Sequence, residues 1–307
     1  MECWSGDHQA STAKVAGFDS RALRHDHLRP WVDTMEYTAS QYQRIREMGG
    51  EPDARAPFES AKERDHSFQE QVAALQGSNR TAIRSIAEAP TRSPVSFLED
   101  TLARVLNQRG FIEVKTPMII SGNALTKMGI AEGHPLLDQV FWISPKKCLR
   151  PMLAPNLYFL MRHLKRNIPL PMRLFEIGPC FRKESKGAHH LEEFTMLNLV
   201  ELGPEIDAMD RLREHAKAVM DAVHLDYELV VTESEVYGRT LDVEVNGIEL
   251  ASGAVGPLPM DEAHGITDPW AGIGFGLERI SMLQRGETNI KAVGRSLIYL
   301  NGARIDV

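Results

Sequence analysis

The chain has 307 residues, 43% of them hydrophobic and 25% charged, with a formal net charge of −7; that is enough chain for one large globular domain and a small appendage, but its charge excludes attraction of nucleic acid by the whole surface, so any RNA contact must use local basic patches. Three cysteines (Cys3, Cys148, Cys180), an odd number without CxxC spacing, argue against a disulfide framework or a structural zinc site and fit a reducing, cytoplasmic setting. No apolar run is long enough to cross a bilayer, and Met1-Glu-Cys-Trp-Ser-Gly-Asp-His has neither the basic nor the apolar region of a signal peptide, so no membrane partner is expected.

Residues 1–36 are polar and weakly periodic, which predicts a poorly ordered leader. From Thr38, the run Ser40-Gln-Tyr42-Gln-Arg44-Ile45-Arg46 predicts a short helix stopped by Gly49-Gly50. A second helix is expected from about Pro57 to Leu75. A third, punctuated by Arg80, Arg84 and Arg92, ends in Ala-Pro-Thr-Arg-Ser-Pro94. Residues 37–94 thus form a helical extension, and charge patterning alone makes its arginines a solvated face. A denser domain is expected over residues 95–307. It opens with Phe97, Leu98, Leu102, Val105 and Leu106 at helical spacing, closed by Gly110. Phe111-Ile-Glu-Val-Lys-Thr-Pro117-Met-Ile-Ile reads as one strand whose proline places it at a sheet edge or a subunit boundary. Beyond it, short β-rich runs alternate with a few helices without a βαβ repeat. The fold class is therefore α+β, a mixed or antiparallel sheet with helices packed on it.

Four segments carry chemistry. In Leu149-Arg-Pro-Met-Leu-Ala154-Pro155-Asn-Leu157-Tyr158-Phe-Leu-Met161, Pro155 suits a first helical turn, and Ala154, Leu157, Tyr158 and Met161 form one apolar stripe, core or pocket wall. The run Phe175-Glu-Ile-Gly-Pro-Cys-Phe-Arg182-Lys-Glu184 to Phe194-Thr-Met-Leu-Asn198 reads as two strands joined by a charged loop. Alternation puts Phe194, Met196, Asn198 and Val200 on one face of the second strand. Arg182 offers a fork for phosphate oxygens, Glu184 an acceptor for an exocyclic amine and Phe194 a ring for a base to stack on; a surface ion pair beside a core phenylalanine fits the same residues. In Thr240-Leu-Asp242-Val-Glu244-Val-Asn-Gly247-Ile-Glu249-Leu-Ala-Ser252, the Glu249 and Ser252 oxygens suit a hard cation such as Mg²⁺, or simple solvation. In Trp270-Ala-Gly272-Ile-Gly274-Phe-Gly276-Leu-Glu-Arg279, alternate glycines clear one strand face for a flat ligand or for close packing, and Arg279 follows on a helix.

The Phe-Arg-Lys-Glu loop with Phe194, and the Gly-Phe-Gly-Leu-Glu-Arg279 segment, resemble motifs 2 and 3 of the class II aminoacyl-tRNA synthetases; the helix and strand through Pro117 resemble motif 1, that family's dimer interface. The longer runs from Leu149 to Tyr158, from Phe175 to Asn198 and from Phe275 to Arg279 resemble, more narrowly, the pyrrolysyl-tRNA synthetases, a likeness that extends from about Thr38 to the end. The resemblance implies an ATP- and Mg²⁺-dependent ligase that activates pyrrolysine and transfers it to its cognate tRNA as a cytoplasmic homodimer. Arg182 would bind the α-phosphate and Glu184 the adenine amine. Adenine would lie between Phe194 and Arg279, near His190, Leu191 and Gly274, and Glu249 with Ser252 would hold Mg²⁺. Ala154, Leu157, Tyr158, Met161, Val200 and Trp270 would line the amino-acid pocket, Asn198 would donate to the amide carbonyl of the substrate side chain, and Tyr237, on a hairpin, would close over it. Arg182 and Arg279 would be the catalytic pair. The helical extension would contact tRNA, as would Arg162, Lys165, Arg166 and Arg173.

Two departures from the family pattern stand out. Archaeal members carry an N-terminal tRNA-binding domain on the same chain, and nothing here is long or cysteine-rich enough to be one. The expectation is a catalytic subunit with, at most, a separate tRNA-binding protein as partner. Val200 stands where many members have cysteine, and Met161 where leucine is common; both keep the pocket apolar. Two competing readings are a class II synthetase for a phenylalanine-like amino acid, against which Asn198 and the long stripe argue, and a non-catalytic accessory protein, against which the retention of Arg182 and Arg279 argues.

Overall fold

The computed structural model describes residues 35–52, 57–89, 92–183 and 190–307; the expected leader lies almost wholly outside the described residues. Thr38 opens helix α1 (Ala39–Glu47) with a capping box, its hydroxyl accepting from the Gln41 N–H while the Gln41 side chain accepts from its own N–H. Gly49, at φ +79°, turns the chain away. The second and third expected helices are one, α2 (Ala61–Glu88), which starts at the Ser60 cap rather than at Pro57 and ends before Arg92. A helical glycine such as Gly77 costs only about 1 kcal/mol, and tertiary anchors offset it. The Asn79 amide donates to the carbonyls of Leu75 and Met48 and accepts from the Arg304 N–H. Helix α3 (Pro94–Gln108) begins at a Ser93 cap with proline in its first turn, and Gly110 ends it at φ +79°.

The single strand expected around Pro117 is two strands in different sheets. Strand β1 (Ile112–Glu113) pairs in parallel with β5, at one edge of the main sheet as a proline-flanked strand should. Strand β2 (Ile119–Ser121) joins a small three-stranded sheet. Between them the Glu176 carboxylate takes hydrogen bonds from the Thr116 N–H at 3.0 Å and its hydroxyl at 2.6 Å, which pulls the chain off the main sheet just before Pro117. Helices α4 (Gly122–Lys127) and α5 (Pro135–Asp138) lead to β3 (Trp142–Ser144) and β4 (Lys147–Leu149), which complete the small sheet in the order β2-β4-β3. Helix α6 (Ala154–Leu164) follows, with Pro155 in its first turn.

The expected hairpin is β5 (Met172–Phe181) and β6 (Glu193–Leu202). After α7 (Ala208–Val223) come β7 (Glu228–Ser234), β8 (Gly238–Val245), β9 (Ile248–Gly256), a 3₁₀ turn at Pro259–His264, β10 (Trp270–Gly276) and α8 (Leu277–Gln284). A 3₁₀ turn at Ile290–Ala292 precedes the terminal pair β11 (Tyr299–Leu300) and β12 (Ala303–Arg304). The main sheet runs β1-β5-β6-β10-β9-β8-β7, antiparallel except at β1–β5, which makes the fold α+β as expected. The terminal pair holds the N-terminal helices: the Tyr299 hydroxyl and the Arg304 guanidinium both donate to the Glu47 carbonyl.

Alternation gives the sheet two different faces. Phe175, Ile177, Leu197, Leu199, Ile273 and Phe275 form the main core with α3, α7 and α8. Burying each such side chain is worth about 1.5–3 kcal/mol, so this face holds the sheet rigid. On the opposite face Leu174, Val200, Ala254 and Trp270 pack against α6 in a second core.

One buried carboxylate ties α7 to the hairpin. Glu201 lies 2.9 Å from Arg173 Nε, 3.4 Å from Arg211 Nε and 3.3 Å from His215 Nε2. Burial alone would raise its pKa, but hydrogen bonds from His215 and Arg173 and the charges of Arg173 and Arg211 outweigh that and lower it to about 2. A depressed carboxyl contributes stability that is complete above its unfolded value of 4.5 and lost as pH falls toward 2. Glu201→Gln is therefore expected to cost about 1.5–3 kcal/mol at neutral pH. In thermal melts the gap between variant and parent should close as pH falls from 4.5 toward 2; a gap that held constant would contradict the assignment.

Candidate active site

The second face of the sheet opens into a cavity of about 450 Å³. Its floor follows from the strand register. Asn198 on β6 pairs with Gly274 on β10, and Gly274 with Ser252 on β9; one step along, Val200 pairs with Gly272, and Gly272 with Ala254. Directly opposed residues project to the same side, so Phe194, Met196, Asn198 and Val200 line the cavity while Thr195, Leu197 and Leu199 are buried beneath. The atoms nearest to a Cβ at Gly274 would be the flexible Met196 Cε at 3.1 Å and the Asn198 amide at 3.5 Å, both on the cavity side. The glycines thus leave room on the cavity side rather than serving close packing from the back.

One end of the cavity is charged. Arg182 donates from Nε to the Pro151 carbonyl at 2.9 Å, and its guanidinium lies 5.3 Å from the Phe194 ring centroid, near enough for a cation–π contact. Arg279 donates to the Glu249 carbonyl at 2.9 Å, with the Glu249 carboxylate 3.8 Å away. Desolvation, with the charges of Asp242 and Glu244, raises the Glu249 carboxyl above its ordinary range against the lowering pull of Arg279 and Arg182. His190 and Leu191 complete this end. Glu184 lies outside the described residues.

The other end is apolar. Ala154, Leu157, Tyr158 and Met161, one stripe of α6, form a wall facing Trp270 and Val200. The rings of Tyr158 and Trp270 meet edge-on at 5.8 Å. Tyr237, in the turn between β7 and β8, lies 6.4 Å from Trp270, and burial pushes its hydroxyl pKa up.

Apart from Glu184, every site residue expected from the sequence lines this one cavity. Several lining residues were not expected. Leu136 lies on α5 and Gln139 just past its end, Met152 lies in the link from β4 to α6, Ser234 ends β7, and Val236 sits in the turn after it. Met196, Gly272 and Gly276 lie on the strand faces that the sequence had already singled out, without a role assigned to them there. Glu278 gave none. It is buried, its carboxylate takes the Thr195 N–H at 2.9 and 2.8 Å, and so it clamps the first turn of α8 against β6 beside Arg279. Arg150 and Glu176 are 2.7 Å apart and almost fully buried, with Glu176 on β5 directly opposite Asn198.

The pattern of the tRNA synthetases class II core domain (F) fits residues 79–300. The chain belongs to the class II aminoacyl-tRNA synthetases. Two solved structures of pyrrolysyl-tRNA synthetase from Desulfitobacterium hafniense align with this synthetase at TM-scores of 0.81 and 0.80. They are 46% and 45% identical, cover 88% and 89% of this chain, and are themselves covered over 98% and 99% of their lengths. Among curated relatives, the O-phosphoserine–tRNA(Cys) ligase of Methanococcus vannielii is 26% identical over 201 residues, 61% of this chain, and the lysine–tRNA ligase of Staphylococcus saprophyticus is 32% identical over 144 residues, 45% of this chain. The synthetase spans 36% and 25% of those two relatives' lengths. Among its described residues, no helix is long and apolar enough to cross a membrane.

Proposed function

We propose that this synthetase activates pyrrolysine with ATP to the aminoacyl adenylate and transfers it to the cognate tRNA. The observation that carries the reading is the polarity of the cavity along a single strand: Phe194 stands beside the two arginines at one end, while Asn198 and Val200 stand against a deep apolar wall at the other. A bulky, mostly apolar lysine derivative suits that wall, and its single amide needs one polar partner, which Asn198 supplies. A phenylalanine-like substrate would leave the Asn198 amide without use. Likeness to the Desulfitobacterium enzymes supports the same substrate class.

The chemistry needs no general base. The substrate carboxylate is already a nucleophile and attacks the α-phosphorus in line as pyrophosphate leaves. Arg182 and Arg279 position the phosphates and stabilise the charge that develops there. Phe194 and Arg279 flank the adenine, with His190, Leu191 and Gly274 close by, and Glu184 takes the adenine amine. The donor set fits Mg²⁺: the Glu249 carboxylate and the Ser252 hydroxyl both line the cavity, and Asp242 and Glu244 add negative charge around Glu249. When bound, the ion supplies Lewis-acid stabilisation of phosphate oxygens. In the same site a tRNA terminal hydroxyl then attacks the carbonyl carbon of the adenylate, forming the ester as AMP leaves and its proton passes to solvent.

Met118 and, on the two outer strands of the small sheet, Ile119, Trp142 and Ile143 are half-exposed, and this apolar surface would suit a homodimer interface. The helices before α3 would contact the tRNA. Charging of a candidate tRNA with an Nε-acylated lysine, by this chain alone and with a candidate tRNA-binding protein added, tests the full reaction; no charging under either condition would contradict it. Asn198→Ala tests the pocket. It is expected to lower kcat/KM for the Nε-acylated lysine by about ten- to a hundredfold with the KM for ATP unchanged, and an unaltered kcat/KM would remove Asn198 from substrate recognition.

A further inference from the structure

The two aromatic walls of the apolar end share one anchor that lies outside the cavity. After β9 the chain runs Gly256-Pro-Leu-Pro-Met-Asp261, where two prolines stiffen the approach to the 3₁₀ turn Pro259–His264, and Gly265 closes the turn at φ +66°. The turn presents Asp261 inward with no exposed surface. One of its oxygens accepts from the Tyr158 hydroxyl at 2.7 Å; the other accepts from Trp270 Nε1 at 2.6 Å and from the Leu258 N–H at 2.7 Å. Tyr158 is stacked on its far side by His264 of the same turn, at 4.4 Å. Trp270 lies over Gly256, where a Cβ would come within 1.9 Å of its Nε1, so the indole has room to reach Asp261 only because that position is glycine.

We propose that Asp261 is a positioning residue that sets amino-acid specificity by holding Tyr158 and Trp270 in register as the walls of the substrate pocket. A tyrosine and a tryptophan packed only by apolar contact can each rock about their side-chain torsions. With both polar tips on one carboxylate, neither ring moves without losing a buried hydrogen bond. The width of the pocket is thereby set from behind, by a residue that touches no substrate. Because Asp261 sits with the amino-acid walls and away from the arginine end, its loss should act on amino-acid binding and leave the nucleotide alone.

This inference rests on the proposed amino-acid pocket and is tested by two substitutions of similar volume. Asp261→Leu keeps the bulk and removes both acceptors; Asp261→Asn keeps an acceptor for Trp270 and offers an N–H to the Tyr158 oxygen. In pyrophosphate exchange, Asp261→Leu is expected to raise the amino-acid KM about tenfold or more, with kcat and the KM for ATP within about twofold, while Asp261→Asn restores most of the loss. Equal KM values for the two variants would mean packing alone, and a parallel fall in kcat would mean general damage; either overturns the proposal. Should Asp261→Leu fail to fold, Tyr158→Phe, which removes only the hydroxyl that reaches Asp261, must raise the amino-acid KM, and an unchanged KM overturns it. If the parent activates another amino acid instead of a lysine derivative, the substrate reading fails while the same comparison, run with that amino acid, still judges Asp261. A crystal structure of Asp261→Leu gives a reading independent of substrate: the 5.8 Å spacing of the two rings should change, and rings left in place would overturn the proposal.

Discussion

Arg182→Ala is expected to lower amino-acid-dependent pyrophosphate exchange by about a hundred- to a thousandfold, the usual cost of removing one preorganised group that stabilises charge in the transition state. The fork is held in place before any nucleotide arrives, by its bond to the Pro151 carbonyl and its contact with Phe194. Arg182 is only partly buried, so its truncation should cost far less in thermal stability than in exchange. Arg279→Ala should behave in the same way. Exchange that fell less than about fivefold in both variants would remove the arginines from the chemistry.

Arg150→Met is expected to cause the largest loss of stability, about 3–5 kcal/mol, because it leaves the Glu176 carboxylate buried without its cation. Arg150 and Glu176 are 2% and 1% exposed, too little for water to replace either partner. The guanidinium also donates to the Pro179 carbonyl at 2.8 Å and to Thr116, and it lies across Gly178, where a Cβ would meet Nη2 at 2.3 Å. One side chain thereby joins β5, the bend before Pro117 and the segment that anchors Arg182. Thermal or urea denaturation measures the loss. Replacing both partners, Arg150→Met with Glu176→Leu, should recover much of it, since an apolar pair of similar volume leaves no stranded charge. A double variant no more stable than Arg150→Met would show that Thr116 and Pro179, rather than the ion pair, carry the energy.

Local periodicity made much of this molecule legible. The alternation through Phe194, Met196, Asn198 and Val200 placed a floor, the stripe on α6 a wall, and the glycines of β10 the room between them. Chemical roles for these residues came from the class II resemblance, because each residue alone also fitted an ordinary packing or surface role. What escaped the sequence depends on partners far apart in the chain. Asp261 reaches Tyr158 across 103 residues, Glu278 reaches Thr195 across 83, and Asn79 reaches Arg304 across 225. The same long-range anchoring kept α2 continuous through its polar stretch, and the capture of Thr116 by Glu176 split one expected strand into two. Glu176 did leave a trace, a single carboxylate in the apolar run Leu174-Phe-Glu-Ile177, which signals a buried partner without naming it.

On the proposed function, the two ends of one cavity join ATP to an amide-bearing lysine derivative. Pyrophosphate exchange by the purified chain, compared between an Nε-acylated lysine and phenylalanine at equal concentration, tests it most directly. Exchange supported by the lysine derivative and not by phenylalanine is the predicted result; exchange supported by phenylalanine and not by the lysine derivative would contradict it.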